Sequence, residues 1–166
     1  MRLRELESKD ATLMLEWMHD ISVTEKLGTD FSKKDLKDCL AFIDASKDKS
    51  RDLHLAIVDY DDEYMGTVSL KHIDNIEKTA EFAITVRKKA MGKGYSSFGM
   101  KEIINVGLNE YELNAIYWCV SNENQRAIRF YDKNGYIRVN EVPKNITSYY
   151  DLEQQKKFIW YAVKSS

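Results

Sequence analysis

The stretch that most restricts the fold runs from Thr79 to Val120. Thr79 to Val86 reads as a strand, Gly94 to Leu108 as a helix and Ala115 to Val120 as a second strand. A strand, a helix and a strand in succession predict two parallel neighbours joined by a right-handed crossover, because a parallel return needs a long connection. The segments on either side demand the opposite geometry. Residues 53–60 and Tyr64 to Ile73 read as strands joined through Asp61-Asp62-Glu63, a hairpin that pairs antiparallel. Tyr136 to Val142 and Phe158 to Val163 read as the last two strands, and residues 1–6 alternate as a first one. The prediction is an α/β (α+β) fold: a mixed, mostly antiparallel sheet of about seven strands with one parallel pair, flanked by about four helices.

The other three helices have local signals. Asp10 to His19 carries Leu13, Leu15, Trp17 and Met18 at mixed helical spacings. Ser32-Lys33-Lys34-Asp35 is shaped like a capping box, with Asp in place of Glu or Gln. The helix it opens carries Leu36, Cys39, Leu40 and Ile43 at i, i+3, i+4 and i+7, which reads as an inward face. Asn124 to Asn134 reads as a helix ending at Gly135, expected to be left-handed. Lys144 to Lys157 has no clear pattern. At 166 residues with 43% apolar content and no Pro- or Gly-rich linker, the chain reads as one domain over 1–166.

Charge and cysteine content exclude several classes. Lys plus Arg is 25 against 27 Asp plus Glu, for a net charge of −2, which is no footprint for nucleic acid. Cys39 and Cys119 are too few for a disulfide framework or a zinc knuckle and fit reduced thiols, so a cytoplasmic location is expected. No apolar run approaches the ~18 residues of a membrane span, and no membrane partner is expected. His19, His54 and His72 lie far apart in sequence, so no metal site is expected.

Two stretches carry chemistry. In Val86-Arg87-Lys88-Lys89-Ala90-Met91-Gly92-Lys93-Gly94-Tyr95-Ser96, a strand passes into a helix through Gly-Lys-Gly. Free N–H groups at a helix start make an anion site, and glycines let the backbone approach a ligand. Lys88, Lys89 and Lys93 add charge. The plain alternative is a turn with a solvated basic face. A Walker A loop has the wrong spacing, and a dinucleotide loop lacks its third glycine, since position 97 is Ser97. The second stretch runs from Asn122 to Tyr136. There Asn124 sits at an N-cap position, and Asn124, Ala127 and Tyr131 share one helical face. Taken one at a time, an ordinary cap, a packed alanine and a half-buried core tyrosine account for them better.

Together the stretches resemble a family. A basic Gly-x-Gly loop opening a helix, followed by Asn-x-x-Ala-x-x-x-Tyr-x-x-x-Gly-Tyr from Asn124, is similar to the GCN5-related N-acetyltransferases. Leu15 to Asp20 and Ala80-Glu81-Phe82 are similar to the branch with ribosomal-protein, polyamine and amino-sugar acetyltransferases. Two positions depart from the family loop, Arg/Gln-x-x-Gly-x-Gly/Ala. Met91 stands at the Arg/Gln position and Ser96 at the last Gly/Ala.

The resemblance implies a splayed parallel pair holding acetyl-CoA as co-substrate, with no metal. Backbone groups of Ile84, Thr85 and Val86 would pair with the pantetheine amides. The loop from Met91 through Gly92, Lys93, Gly94, Tyr95 and Ser96 to Ser97 would hold the pyrophosphate, and Asn124 and Ala127 would line the arm. The implied activity is acetyl transfer to a primary amine by direct attack in a ternary complex. The acceptor would be a peptide N-terminus, a polyamine or an amino sugar. Tyr131 is the candidate acid for the departing thiolate. Glu81, on a strand face with Ala83 and Thr85, is the candidate base. Against Glu81 stand a solvated surface glutamate and deprotonation through water alone. Cys119 occupies the position where some members carry a glutamate. Glu16, Asp20, Asp30 and Glu81 are expected to attract a cationic acceptor, His72 near a strand end is a candidate to line its pocket, and homodimer formation stays open. The competing function is a non-catalytic acyl-CoA-binding module, favoured by Met91 and by the absence of a glutamate at 119.

Overall fold

The computed structural model describes all 166 residues, Met1–Ser166. In chain order the elements are β1 (Arg2–Glu5), α1 (Ala11–Met18), α2 (Ile21–Thr24), α3 (Leu36–Ala45), β2 (Leu53–Val58), β3 (Tyr64–Asp74), β4 (Thr79–Val86), α4 (Tyr95–Asn105), β5 (Ala115–Ser121), α5 (Gln125–Lys133), β6 (Ile137–Val139), α6 (Lys144–Thr147), α7 (Leu152–Gln155) and β7 (Phe158–Lys164). The seven strands form one sheet in the order β1-β2-β3-β4-β5-β7-β6. Every neighbouring pair is antiparallel except β4 and β5.

The parallel pair is short. It is in register only over Thr79↔Ala115, Ala80↔Ile116 and Glu81↔Tyr117. Beyond Glu81 the strands part, while β4 stays paired with β3 up to Val86↔Gly66 and β5 with β7 up to Ser121↔Phe158. Each strand is thus fixed by its outer partner, and the gap between them is a V open toward the ends of both.

The two sheet faces are covered differently. Helices α4 and α5 pack on one face, where Phe82, Val86, Ile116, Trp118 and Val120 meet Met100, Ile103, Ile104, Ile128 and Tyr131 in a cluster of 20 buried residues. Helix α4 approaches closely because position 99 is glycine: a Cβ there would lie 2.5 Å from Ile57 Cδ1. The opposite face holds two separate clusters. Helices α1 and α3 bury Met14, Trp17, Cys39 and Ile43 against Ala56, Val58 and Tyr64 at one side. Ile146 of α6 packs with Ala115, Tyr117, Trp160 and Ala162 at the other. Between them runs a row of small and polar residues from β3 and β4: Thr67, Ser69 and Lys71 opposite Thr85, Ala83 and Glu81.

Several sequence expectations shift. The cap of α3 is Asp35, not Ser32, and the reciprocal box is Asp35 with Asp38, because the helix starts at Leu36. Its inward face is Cys39 and Ile43; Leu36 and Leu40 remain 42% and 40% exposed. The helix expected to reach Leu108 ends at Asn105 and continues as a wider π turn over Val106–Glu110. The sixth strand keeps only three of its expected residues. Lys144 to Lys157 contains α6 and α7, each one turn long. Gly135 is left-handed as expected, at φ +80.

Candidate functional site

The segment leaving β4 is anchored before it turns. Arg87 is buried, and its guanidinium is held by Glu16 of α1 at 2.9 and 3.0 Å, by Glu63 at 2.7 Å and by the Tyr64 carbonyl at 2.9 Å. These bonds raise its pKa and hold the charge permanently. A single 3-10 turn over Lys88–Ala90 follows. Gly92 and Gly94 then adopt φ +74 and +89, a region open to glycine and costly for other residues. This geometry turns the backbone into α4 with six successive N–H groups, from Gly92 to Ser97, donating to no protein acceptor. Nothing lies within 4 Å of the Cβ positions of either glycine, so the approach to these amides is open.

Such a run of free amides at a helix start, with the dipole behind it, suits a pyrophosphate. Lys88 and Lys93 are exposed beside it, whereas Lys89 is bound to Glu63 at 2.7 Å and does not serve as a free charge. Met91 turns its side chain to the main core, as does Tyr95, so both offer the ligand their backbone. Ser96 and Ser97 are half-buried, with hydroxyls that bond to nothing else in the protein.

The splay supplies the next part. Arg87 donates its N–H to Met65 on the β3 side, at 2.9 Å. Alternation along the strand therefore turns the backbone groups of Ile84 and Val86 toward the β5 side, where no partner strand remains. Thr85 faces β3 instead, opposite Thr67. Of the three residues expected to pair with an extended ligand, two present free backbone groups and the third faces away.

Helix α5 closes the other wall. Asn124 caps it, its Oδ1 accepting the Ala127 N–H at 3.2 Å, which leaves the amide Nδ2 without a partner. Tyr131 is 8% exposed, wedged against Tyr161 and Trp118 with ring centroids 5.1 and 5.5 Å away. Its hydroxyl makes no hydrogen bond, yet it is not sealed: Trp118 Nε1 is the one enclosed, unpartnered polar side-chain atom of the chain. Burial pushes the phenol's pKa well up, with Tyr161, Cys119 and Tyr136 adding to the effect, so it holds its proton at neutral pH.

Glu81 sits at the closed end of the splay and is 2% exposed, which removes the solvated-surface alternative. One carboxylate oxygen lies 3.1 Å from His72 Nδ1, and the other accepts from the Tyr150 hydroxyl. Burial lowers the pKa of His72 despite the nearby carboxylate, so the ring is neutral near pH 7. The Tyr149 ring stacks on it at 3.4 Å between centroids. Beside this stack a cavity of about 480 Å³ is lined by Arg51, His72, Asp74, Asn145 and Tyr149. Cys119 is a half-buried thiol pushed up to about 12 by burial, so it is protonated and unreactive.

The expected acidic attractants are all engaged. Glu16 pairs with Arg87, Asp20 caps α2 through Ser22, and Asp30 accepts the Ser32 N–H. No group of three His, Cys, Asp or Glu side chains is placed to hold a metal ion, and no helix is long and apolar enough to cross a membrane.

This arrangement has known counterparts. The family model for the acetyltransferase (GNAT) domain matches residues 1–137. The chain belongs to the GNAT acetyltransferase family. Enzymes of this family use acetyl-CoA as co-substrate, and the loop and splay of this chain fit that molecule. Among curated GNAT relatives, the "Uncharacterized N-acetyltransferase p20" of Bacillus licheniformis is 28% identical over 86% of this chain and 84% of its own length. The spermidine N(1)-acetyltransferase of Escherichia coli K12 is 32% identical over 48% of this chain, spanning 43% of that protein. The putative ribosomal N-acetyltransferase YdaF of Bacillus subtilis is 32% identical over 42% of this chain and 39% of its own. The spermidine N-acetyltransferase of Vibrio cholerae, solved with CoA and spermine, superposes with a TM-score of 0.79 at 16% identity, covering 98% of this chain and 94% of that one.

Sequence reasoning missed two residues around this GNAT site, Arg87 and Tyr150, and reached His72 only as a strand-end residue near an acceptor pocket. Arg87 reads in sequence only as part of a basic loop, because its partners Glu16 and Glu63 lie 71 and 24 residues away. His72 and Tyr150 join Glu81 from β3 and from the segment after α6. No local pattern ties either one to Glu81, because the contacts span 9 and 69 residues.

Proposed function

We propose that this chain moves an acetyl group from acetyl-CoA to a primary amine by direct attack in a ternary complex. The observation that carries this reading is the run of six free amides at 92–97, which continues from a strand edge left open at Ile84 and Val86. In this reading the amides from Gly92 to Ser97 hold the pyrophosphate, and the backbone of Ile84 and Val86 pairs with the pantetheine arm. Asn124 Nδ2 donates to the same arm, and Ala127 leaves room for it. The thioester supplies an activated carbonyl carbon.

The protein's own groups handle protons and position. An alkylamine with a pKa of about 10.4 is only ~1 part in 2,500 neutral at pH 7. Glu81 takes its proton, and the pairing with His72 and Tyr150 fixes the carboxylate in place. The amine nitrogen then bonds to the carbonyl carbon, the Val86 N–H polarises the carbonyl oxygen, and the carbon–sulfur bond breaks. Tyr131 donates its proton to the leaving sulfur, and the second proton that the amine nitrogen sheds as the amide forms passes to the tyrosinate and restores the phenol. Its raised pKa keeps the proton available, and its unpartnered hydroxyl is free to reach a ligand atom. Holding both reactants in the splay accounts for much of the rest, in principle ~7–11 kcal/mol.

The test is direct. The protein is incubated with acetyl-CoA and a panel of primary amines while free thiol is followed. Amine-dependent thiol release is expected. Thermal stabilisation by CoA with no release from any amine would leave only an acyl-CoA-binding module.

A further inference from the structure

Strand β3 breaks its regular pairing at His72. Lys71 pairs with Glu81 and Asp74 with Thr79, so two residues of β3, His72 and Ile73, stand opposite Ala80 alone. This is a β-bulge, a device that re-aims side chains beside functional sites. In a regular strand, residue 72 would follow Leu70 into the helix-covered core. The extra residue puts Ile73 there, buried in the same cluster as Leu70, and turns His72 to the face of Glu81. His72 takes the left-handed φ of +55 to do so. Glycine would hold that conformation without strain, so the imidazole is kept here at a conformational cost.

The two residues just before β2 hold the bulge. The Arg51 carbonyl accepts the Ile73 N–H at 2.8 Å, and Asp52 Oδ1 accepts the His72 N–H at 2.8 Å. Asp52 Oδ2 lies 4.0 Å from His54 Nε2, beyond hydrogen-bond reach. Arg51 also donates to the Tyr149 hydroxyl at 3.4 Å, and the Tyr149 ring stacks on the imidazole. Facing a carboxylate, the neutral His72 ring carries its proton on Nδ1 and donates it to Glu81. The other titratable neighbours of Glu81 are Tyr150, which donates to it, Lys71 directly opposite and Cys119 on β5; the last two are not bonded to it.

We infer that Asp52 is a positioning residue for acetyl transfer: it pins the bulge at His72, whose imidazole holds the Glu81 carboxylate. This inference rests on the acetyl-transfer reading, with Glu81 taking the amine's proton. The role needs an acceptor oxygen at position 52, not a charge. Without that oxygen the His72 N–H loses its partner, and nothing on the backbone keeps the residue left-handed. The ring then leaves Glu81, and a buried carboxylate short of one donor is harder to ionise.

The experiment measures kcat against pH, by thiol release with acetyl-CoA and an amine that the parent acetylates. Asp52→Ala is expected to lower kcat at pH 7 by about tenfold to a hundredfold and to move the acid limb to higher pH, with CoA-induced stabilisation unchanged. His72→Gly is expected to match it. Asp52→Asn keeps the acceptor oxygen and is expected to keep the parent profile. In the His72→Gly background, where the bulge is unstrained and no ring remains, adding Asp52→Ala is expected to change kcat by less than about twofold. Should Asp52→Ala not fold, as its melting temperature tells, Asp52→Ser, too short to reach the His72 N–H, takes its place. A parent-like profile in Asp52→Ala or His72→Gly overturns the inference and leaves acetyl transfer standing. So does a loss in Asp52→Asn as large as in Asp52→Ala, or an undiminished effect of Asp52→Ala beside His72→Gly. Absence of thiol release from the parent with every amine overturns both.

Discussion

Removing one oxygen from Tyr131 separates catalysis from stability. In Tyr131→Phe the ring and its contacts with Tyr161 and Trp118 remain, with centroids 5.1 and 5.5 Å away. The lost hydroxyl makes no hydrogen bond, so its removal orphans no partner. Buried hydroxyls usually cost about 1–3 kcal/mol to truncate when a partner is left behind; that cost is absent here. Folding stability is therefore expected to stay within about 1 kcal/mol of the parent, or to rise slightly, keeping Tm within about 4 °C. If the phenol supplies the proton to the leaving sulfur, kcat falls by about 10²–10⁴, equivalent to ~2.7–5.4 kcal/mol of barrier. Steady-state thiol release measures the loss, and thermal shift with CoA checks that binding persists. A kcat within about threefold of the parent would refute the acid assignment, since general acid catalysis is worth more than that. A stability loss of about 2 kcal/mol with intact chemistry would mean instead that the hydroxyl has a structural partner.

Three further outcomes follow from the same geometry. Glu81→Gln should lower kcat by about 10²-fold, with the residual rate climbing as pH rises and more amine is neutral; an unchanged pH profile would remove Glu81 as the base. Gly94→Ala adds a Cβ that meets nothing within 4 Å but sits at φ +89, so the cost is conformational. It should destabilise by about 1 kcal/mol and weaken CoA binding, while Gly28→Ala, with a negative φ and equal space, should do neither. His54 and His72 both have pKa values lowered chiefly by burial. The unfolded chain therefore binds more protons below pH ~6.5, and stability should fall as pH drops through that point, in a Tm series that flattens when both are replaced by Gln.

Much of the fold is legible locally. Strands β3, β4, β5 and β7 lie within a residue of their expected bounds, because long apolar alternation is a strong signal and turns such as Asp61-Asp62-Glu63 punctuate it. The left-handed glycines at 92, 94 and 135 follow from the steric demand of turns. Helix α3 shows the limit: Leu36 and Leu40 match the inward spacing and remain exposed, because periodicity names a face without saying how wide a neighbour covers it. The anchoring of Arg87 and the pairing of Lys89 were likewise invisible, since their partner Glu63 is 24 and 26 residues away.

The amino-acid order alone determined the crossover unit, the glycine turn with its free amides, and the capped helix carrying Tyr131, because each depends on backbone sterics and short-range hydrogen bonding. Tertiary structure decided the insertion of β7 between β5 and β6, the parting of β4 from β5 after Glu81, and the pairing of buried Arg87 with Glu16 and Glu63. Those features are set by which distant groups find one another when the sheet closes, and whether a charge is paired depends on neighbours that no spacing along the chain specifies.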